Sequence, residues 1–84
     1  MATYAKAGTV YCSGGANVRS CSSTSCSIVS YVVAGNSYPS DCYVIGSSVT
    51  IGGSTKATWY RLNLKAGGKG YVSAHYCSGN VGKC

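Results

Sequence analysis

Few side chains in this chain could take part in acid–base or nucleophilic chemistry. Among its 84 residues, Asp41 is the only side-chain carboxylate and His75 is the only imidazole. Hydrolysis of a glycoside normally needs a pair of carboxylates, and a Ser or Cys nucleophile needs a base positioned beside it. Neither arrangement can be assembled from these residues. We therefore expect a chain that binds a ligand and is not an enzyme, with His75 as a solvated residue of the closing turn.

The six cysteines are the remaining reactive groups. An even number in so short a chain predicts three disulfides and a secreted, extracellular protein. A zinc site would need closely spaced pairs of Cys and His ligands, and Cys21 and Cys26 form the only close pair, so we expect neither a metal nor another cofactor. Fifteen pairings of six cysteines are possible. We favour one that closes a local loop, one that ties the first strand to the last and one that anchors the tail: Cys21–Cys26, Cys12–Cys77 and Cys42–Cys84.

The net charge of +6 comes from seven Lys and Arg residues against one Asp. A basic surface attracts anionic partners, such as nucleic acid, acidic membranes or the phosphate-bearing polymers of a bacterial wall. The basic residues are scattered and form no local cluster, so we expect no nucleic-acid partner. No stretch is apolar enough to span a bilayer, and no membrane insertion is expected. Because no secretory leader follows Met1, we expect this Met to be an expression start that replaces a native leader.

Residues 1–84 are expected to form a single all-β domain. No window repeats apolar residues at helical spacing, whereas 12 glycines separate segments rich in β-branched residues and Tyr. That pattern is typical of short strands joined by tight turns. We predict strands at Thr9–Cys12, Ala16–Arg19, Ile28–Val33, Ser40–Ile45, Trp59–Leu64 and Gly70–Ser73. We predict turns at Gly14–Gly15, Gly35–Asn36, Gly46–Ser47, Gly52–Gly53, Gly67–Gly68 and Gly79–Asn80.

Alternation along two of these strands suggests a binding surface, because successive side chains of a strand point to opposite faces. If Leu62 and Val44 point into the core, Tyr60 also packs there. The outward set then combines aromatic rings with polar groups, as a sugar-binding platform needs: Asp41, Tyr43, Trp59 and Arg61. Pro39 is expected at the start of its strand, since it cannot donate a hydrogen bond to a central ladder.

Three blocks of the sequence, in order, resemble bacterial SH3-like (SH3b) domains: Asn17–Ser20 followed by Ser22–Ser25, then Trp59–Leu62, then Gly70–Tyr76. The resemblance implies a small, mostly antiparallel SH3-like β-barrel that binds peptidoglycan or chitin-like polymers of N-acetylglucosamine. The cysteine-rich form is similar to cell-wall-binding modules attached to fungal muramidases, which implies a covalently attached catalytic domain. By the same resemblance, Tyr76 and Trp59 correspond to aromatic residues that line the peptide groove of SH3 domains.

Several of these residues also have a purely structural interpretation. Trp59 either packs inside the barrel or stacks on a sugar ring, and Tyr76 either packs or lines the site. Asp41 either forms an ion pair or accepts a hydrogen bond from a sugar hydroxyl or N-acetyl group. Arg19 either holds its own loop or contacts the ligand.

The residues favour a non-catalytic module that targets an attached wall-degrading enzyme to chitin or peptidoglycan, by raising the local concentration of the polymer. Two other functions stay open. One is a small secreted antimicrobial or antifungal protein, since such proteins are also basic and cysteine-rich. The other is an SH3-type binder of wall peptides, although the acidic loop residues that attract basic Pro-rich peptides are missing here.

Overall fold

The computed structural model describes residues 7–84, which form seven β-strands. These residues contain no helix, and therefore none that could cross a membrane. The strands are β1 (Gly8–Cys12), β2 (Ala16–Arg19), β3 (Ile28–Val32), β4 (Asn36–Ile51), β5 (Ser54–Asn63), β6 (Lys69–Ser73) and β7 (Cys77–Gly79). The all-β prediction and the positions of six predicted strands are confirmed, while β7 was not predicted.

All seven strands belong to one sheet in the order β3-β2-β6-β5-β4-β1-β7, and every ladder between them is antiparallel. The two strands at its ends, β3 and β7, share no ladder with each other. The sheet is therefore open, and the prediction of a closed barrel is wrong. These end strands are short, five and three residues, and offer little backbone for closure.

The core lies on one face of this sheet. Its buried residues come from six strands and are joined by partly buried Tyr60: Val10, Cys12, Val18, Val32, Leu62, Val72 and Cys77. The small side chains let strands approach closely. At Gly70, an added Cβ would collide with the Val18 side chain, so only glycine fits there. On β5, the core face is therefore the one that alternation predicts: Leu62 points inward, and Tyr60 packs against the buried cluster.

Strands β4 and β5 form a hairpin much longer than predicted. Its turn is Gly52–Gly53, with φ angles of 56° and 81° that favour glycine, which confirms that turn. The predicted turn at Gly46–Ser47 is wrong, because both residues lie within β4, and the predicted turn at Gly79–Asn80 is wrong because Gly79 belongs to β7.

Pro39 also lies inside β4 and does not begin a strand as predicted. It is paired with Thr9 of β1, whereas the β5 ladder begins one residue later, at Ser40. At Pro39 the strand therefore has a ladder on one side only, which is where a residue without an N–H is tolerated.

The three disulfides join Cys12 to Cys77, Cys21 to Cys26 and Cys42 to Cys84, and this pairing confirms the predicted one. The Cys12–Cys77 bridge connects directly opposite residues of β1 and β7. It ties the last strand onto the first across 65 positions of sequence. The Cys42–Cys84 bridge holds the tail, whose backbone also bonds to Tyr43 of β4.

Candidate functional site

Trp59 is buried, with 2% of its surface exposed, so the prediction of an exposed stacking platform is wrong. The residue nevertheless lies outside the main core cluster, on the opposite face of β5 from Leu62. The reason for its burial is the long hairpin. Between Ile45 and Val49 the β4–β5 ladder contains a bulge, and Ser47 in that bulge accepts a 2.9 Å hydrogen bond from the indole Nε1 of Trp59.

The loop between β2 and β3 supports this bulge. The Ser22 carbonyl, inside the loop closed by Cys21–Cys26, accepts a 2.9 Å bond from the Ser47 amide. Gly46 is needed for the approach, because an added Cβ would collide with the backbone and side chain of Ser22. Bulge and disulfide loop are thus held together, and both contribute walls to one cavity.

We call this space the Trp59 cavity; it measures about 420 Å³, which is within the size range of small-ligand sites. It combines aromatic rings with polar groups, and its main lining residues are Asn17, Arg19, Thr24, Tyr31, Trp59 and Tyr76. Tyr31 is 70% exposed and Tyr76 is half-buried. The cavity therefore offers accessible tyrosine rings beside a buried tryptophan wall.

Strand register explains why these residues meet. Trp59 of β5 pairs with Ser73 of β6, and Arg61 pairs with Tyr71, which itself pairs with Arg19 of β2. Residues directly opposite each other project to the same face of a sheet. We call this surface the Trp59 face, and it carries Asn17, Arg19, Trp59, Arg61, Tyr71 and Ser73. Of the predicted site residues, Trp59 and Tyr76 share the cavity, and Arg61 lies two positions farther along β5 on the same face.

Tyr43 is separated from the other predicted site residues. The β4–β5 register shifts between Ser40 and Cys42, so that Tyr43 pairs with Tyr60 and Val44 pairs with Trp59. A regular ladder from Ser40 would have placed Tyr43 opposite Trp59. Since a one-residue shift reverses the face of every later side chain, the expected positions of Val44 and Tyr43 are both wrong. Tyr43 lies on the face of Tyr60, and its backbone holds the tail.

Asp41, at this shift, binds three side chains on neighbouring strands. Its carboxylate accepts hydrogen bonds from Lys69 at 2.5 Å and Asn63 at 2.7 Å, and Arg61 Nη2 lies 3.4 Å away. The hydrogen bond from Lys69 lowers the pKa of Asp41 most, followed by that from Asn63, and the charges of Lys69 and Arg61 act in the same direction. The ion-pair interpretation of Asp41 is therefore confirmed, with Lys69 and Arg61 as its partners.

This lowered pKa predicts a pH-dependent effect of Asp41→Asn. The pKa of the Asp41 carboxyl is lower in the folded state than its ordinary value of 3.8. Its charge therefore stabilises the fold at pH values above 3.8, and this contribution is lost as pH falls through the pKa of the folded state. We expect urea unfolding to show the variant less stable than wild type at pH 6, with the difference shrinking as pH falls below 3.8 and through the lower pKa of the folded state. A difference that stays constant from pH 6 to pH 2 would contradict this assignment. The chain has no other side-chain carboxylate, which makes the comparison simple.

His75 contacts the β4–β5 hairpin, and its partner differs from those of Asp41. The His75 Nε2 lies 2.6 Å from the Val49 carbonyl, so its ring is partly buried against the hairpin and is not simply solvated as expected. Within residues 7–84, no group of three or more His, Cys, Asp or Glu side chains is placed to hold a metal ion.

Comparison with known proteins was made at three levels. No family model, no curated protein and no solved structure matches the chain. The SH3-like resemblance therefore stays a prediction, and the function is argued from the cavity itself.

Three of the main lining residues were not predicted as site residues: Asn17, Thr24 and Tyr31. Tyr31 and Asn17 pair directly across β3 and β2. Tyr31 precedes buried Val32, so alternation alone indicates that its ring points outward. Nothing in the sequence distinguished it from the seven other tyrosines. Arg19 donates from Nη1 to the Cys26 carbonyl at 3.0 Å, which confirms its role in holding the loop.

A second, larger groove of about 730 Å³ lies between β3 and the segment that follows β5. Its walls are mainly apolar, including Val29, Val33 and Leu64, and its polar lining residues include Asn36, Asn63 and Lys65; Tyr31 lines both spaces. Ligand sites combine an apolar surface with a few converging polar groups. We take the Trp59 cavity as the candidate site because it brings three aromatic side chains, those of Tyr31, Trp59 and Tyr76, together with polar groups.

Proposed function

We propose that the protein is a non-catalytic module that binds N-acetylglucosamine-containing wall polymers, chitin or the glycan of peptidoglycan, in the Trp59 cavity. The observation that carries the proposal is the meeting of Tyr31, Tyr76 and Trp59 around polar Asn17 and Thr24. Flat aromatic rings pack on the C–H faces of a pyranose, and nearby amide and hydroxyl groups bond to its substituents.

The module would act by keeping an attached enzyme near its substrate. We propose that it is secreted, has an SH3-like architecture, and holds an attached catalytic domain such as a muramidase close to an insoluble polymer. The three disulfides are compatible with an extracellular protein. The separate partners of Asp41 and His75 support the absence of catalysis, because neither residue can serve the other.

Tyr31→Ala tests the site with little risk to the fold, since this side chain is largely exposed. We expect its affinity for chitotriose to fall by about tenfold or more, as the loss of one stacking anchor of roughly 1–3 kcal/mol implies. The matched control is Tyr11→Ala. Tyr11 is 50% exposed on β1 and does not line the cavity, so its loss should leave binding unchanged. Affinities would be measured by calorimetry.

Equal affinities for the two variants would contradict the assignment of the site. Wild-type protein that fails to sediment with insoluble chitin and purified peptidoglycan would contradict the proposed function altogether. Sedimentation only with intact peptidoglycan, lost when the stem peptides are removed, would favour a wall-peptide binder.

A further inference from the structure

Among residues 7–84, Arg19 is the only charged residue that lines the Trp59 cavity. It projects from β2 on the Trp59 face, next to Tyr71 of β6 and two positions from Asn17. Its side chain is half-buried, and its Nη1 is fixed by the hydrogen bond to the Cys26 carbonyl. The cation is thus held in place at the candidate site by the disulfide loop.

No protein carboxylate neutralises this cation. The chain has a single acidic side chain, Asp41, and that carboxylate is bound to Lys69 and Arg61. Within residues 7–84, no salt bridge joins Arg19 to any carboxylate. The acceptor it does have is a neutral carbonyl. The positive charge is therefore available to a ligand in the cavity.

A guanidinium in this setting matches one ligand group in particular. Its planar fork of N–H donors fits the two oxygens of a carboxylate, and such charge-assisted bonds are roughly twice as strong as neutral ones. Arg19 is itself half-buried, which reduces screening by salt relative to a fully exposed pair. The hydroxyl and N-acetyl oxygens of a neutral chitin unit can accept hydrogen bonds from Arg19, but a carboxylate pairs with the charge more strongly.

We propose that the Trp59 cavity selects an acidic saccharide, in which a carboxylate attached to an N-acetylglucosamine ring binds Arg19 while the ring packs on Tyr31 or Tyr76. The inference rests on the proposed function and makes it narrower. A lactyl ether carboxylate on the sugar, as in N-acetylmuramic acid without a stem peptide, has the required chemistry. An amide link to a stem peptide removes this charge. The module would then bind peptidoglycan glycan strands whose lactyl carboxyls are free in preference to chitin.

The test compares an acidic disaccharide with its uncharged methyl ester and with neutral chitobiose. Wild-type protein is titrated with the disaccharide of N-acetylglucosamine and N-acetylmuramic acid, with the methyl ester of the same disaccharide, and with chitobiose. We expect the free acid to bind about tenfold tighter than its ester, as a charge-assisted hydrogen bond of about 1.5 kcal/mol implies. Raising the salt concentration should narrow that gap and leave the affinity for chitobiose nearly unchanged.

The variants assign the effect to one residue. Arg19→Gln should abolish the preference for the free acid, whereas Lys65→Gln removes the same charge from a turn outside the cavity and should preserve it. If Arg19→Gln fails to fold, the comparison of acid and ester on wild type still decides. Equal affinity for acid, ester and chitobiose would overturn the selectivity but leave the proposed function intact. If none of the three ligands binds, both the selectivity and the proposed function are overturned.

Discussion

Trp59→Ala is expected to destabilise the protein strongly. The side chain is 2% exposed and donates from Nε1 to the Ser47 carbonyl. Truncation removes a large apolar volume and leaves that carbonyl without its donor. Losses of about 3–5 kcal/mol are typical of a buried Trp, which corresponds to a fall in Tm on the order of 15 °C or more for a domain of this size. Thermal unfolding followed by circular dichroism measures the change.

Trp59→Phe is the informative control. It keeps most of the buried apolar surface and removes only the indole N–H, so we expect a smaller loss, on the order of 1–2 kcal/mol. If Trp59→Ala unfolds at the wild-type temperature, then the indole is not packed beneath the β4 bulge. Because Trp59 supports the fold, weaker binding by its Ala variant would not identify a contact, and Tyr31 serves that purpose better.

Removing the Cys12–Cys77 bridge should cost far more stability than removing Cys21–Cys26. The two bridges span 65 and 5 positions, and chain-entropy estimates give about 4 and about 2 kcal/mol, respectively. Cys12 and Cys77 are also buried in the core cluster, so their double Ala variant leaves a cavity as well. Urea unfolding of the two double variants, Cys12→Ala/Cys77→Ala and Cys21→Ala/Cys26→Ala, compares them directly.

For ligand binding, we expect the Cys21–Cys26 bridge to matter more than the Cys12–Cys77 bridge. The Cys21–Cys26 loop supplies Thr24 to the cavity and supports the β4 bulge through Ser22. We expect the variant without this bridge to stay folded at room temperature and to bind chitotriose more weakly than wild type. Stability losses of equal size in the two variants would contradict the role given to the β1–β7 connection.

Local periodicity in the sequence was enough to locate most strands and the core face of β5. Alternation and glycine spacing depend on near neighbours, so β2 and the inward position of Leu62 were predictable. The three-residue β7 was not, because Cys77–Gly79 is too short for a pattern and is ordered by pairing with β1 and the Cys12–Cys77 bridge.

The candidate site was harder to predict for a physical reason. Two irregularities in the β4–β5 ladder decide which side chains meet. The shift at Asp41 turns Tyr43 away from Trp59, and the bulge near Ser47 buries the indole. A bulge depends on tertiary contacts, here the approach of Gly46 to Ser22, and alternation within one strand contains no sign of it. Asp41 and Arg61 still meet, because Asp41 lies at the shift and its carboxylate is 3.4 Å from Arg61 Nη2.

The most direct test of the central claim is an NMR titration of the ¹⁵N-labelled protein with chitotriose. The chain has a single Trp, so its one indole N–H signal reports on the cavity without ambiguity. The account predicts that this signal shifts together with the backbone amides of Asn17, Thr24 and Tyr76, which line only the Trp59 cavity, and that the signals of Val33 and Lys65, beside the second groove, stay fixed. Shifts confined to the second groove or to the surroundings of Asp41, with the indole signal unmoved, would contradict it.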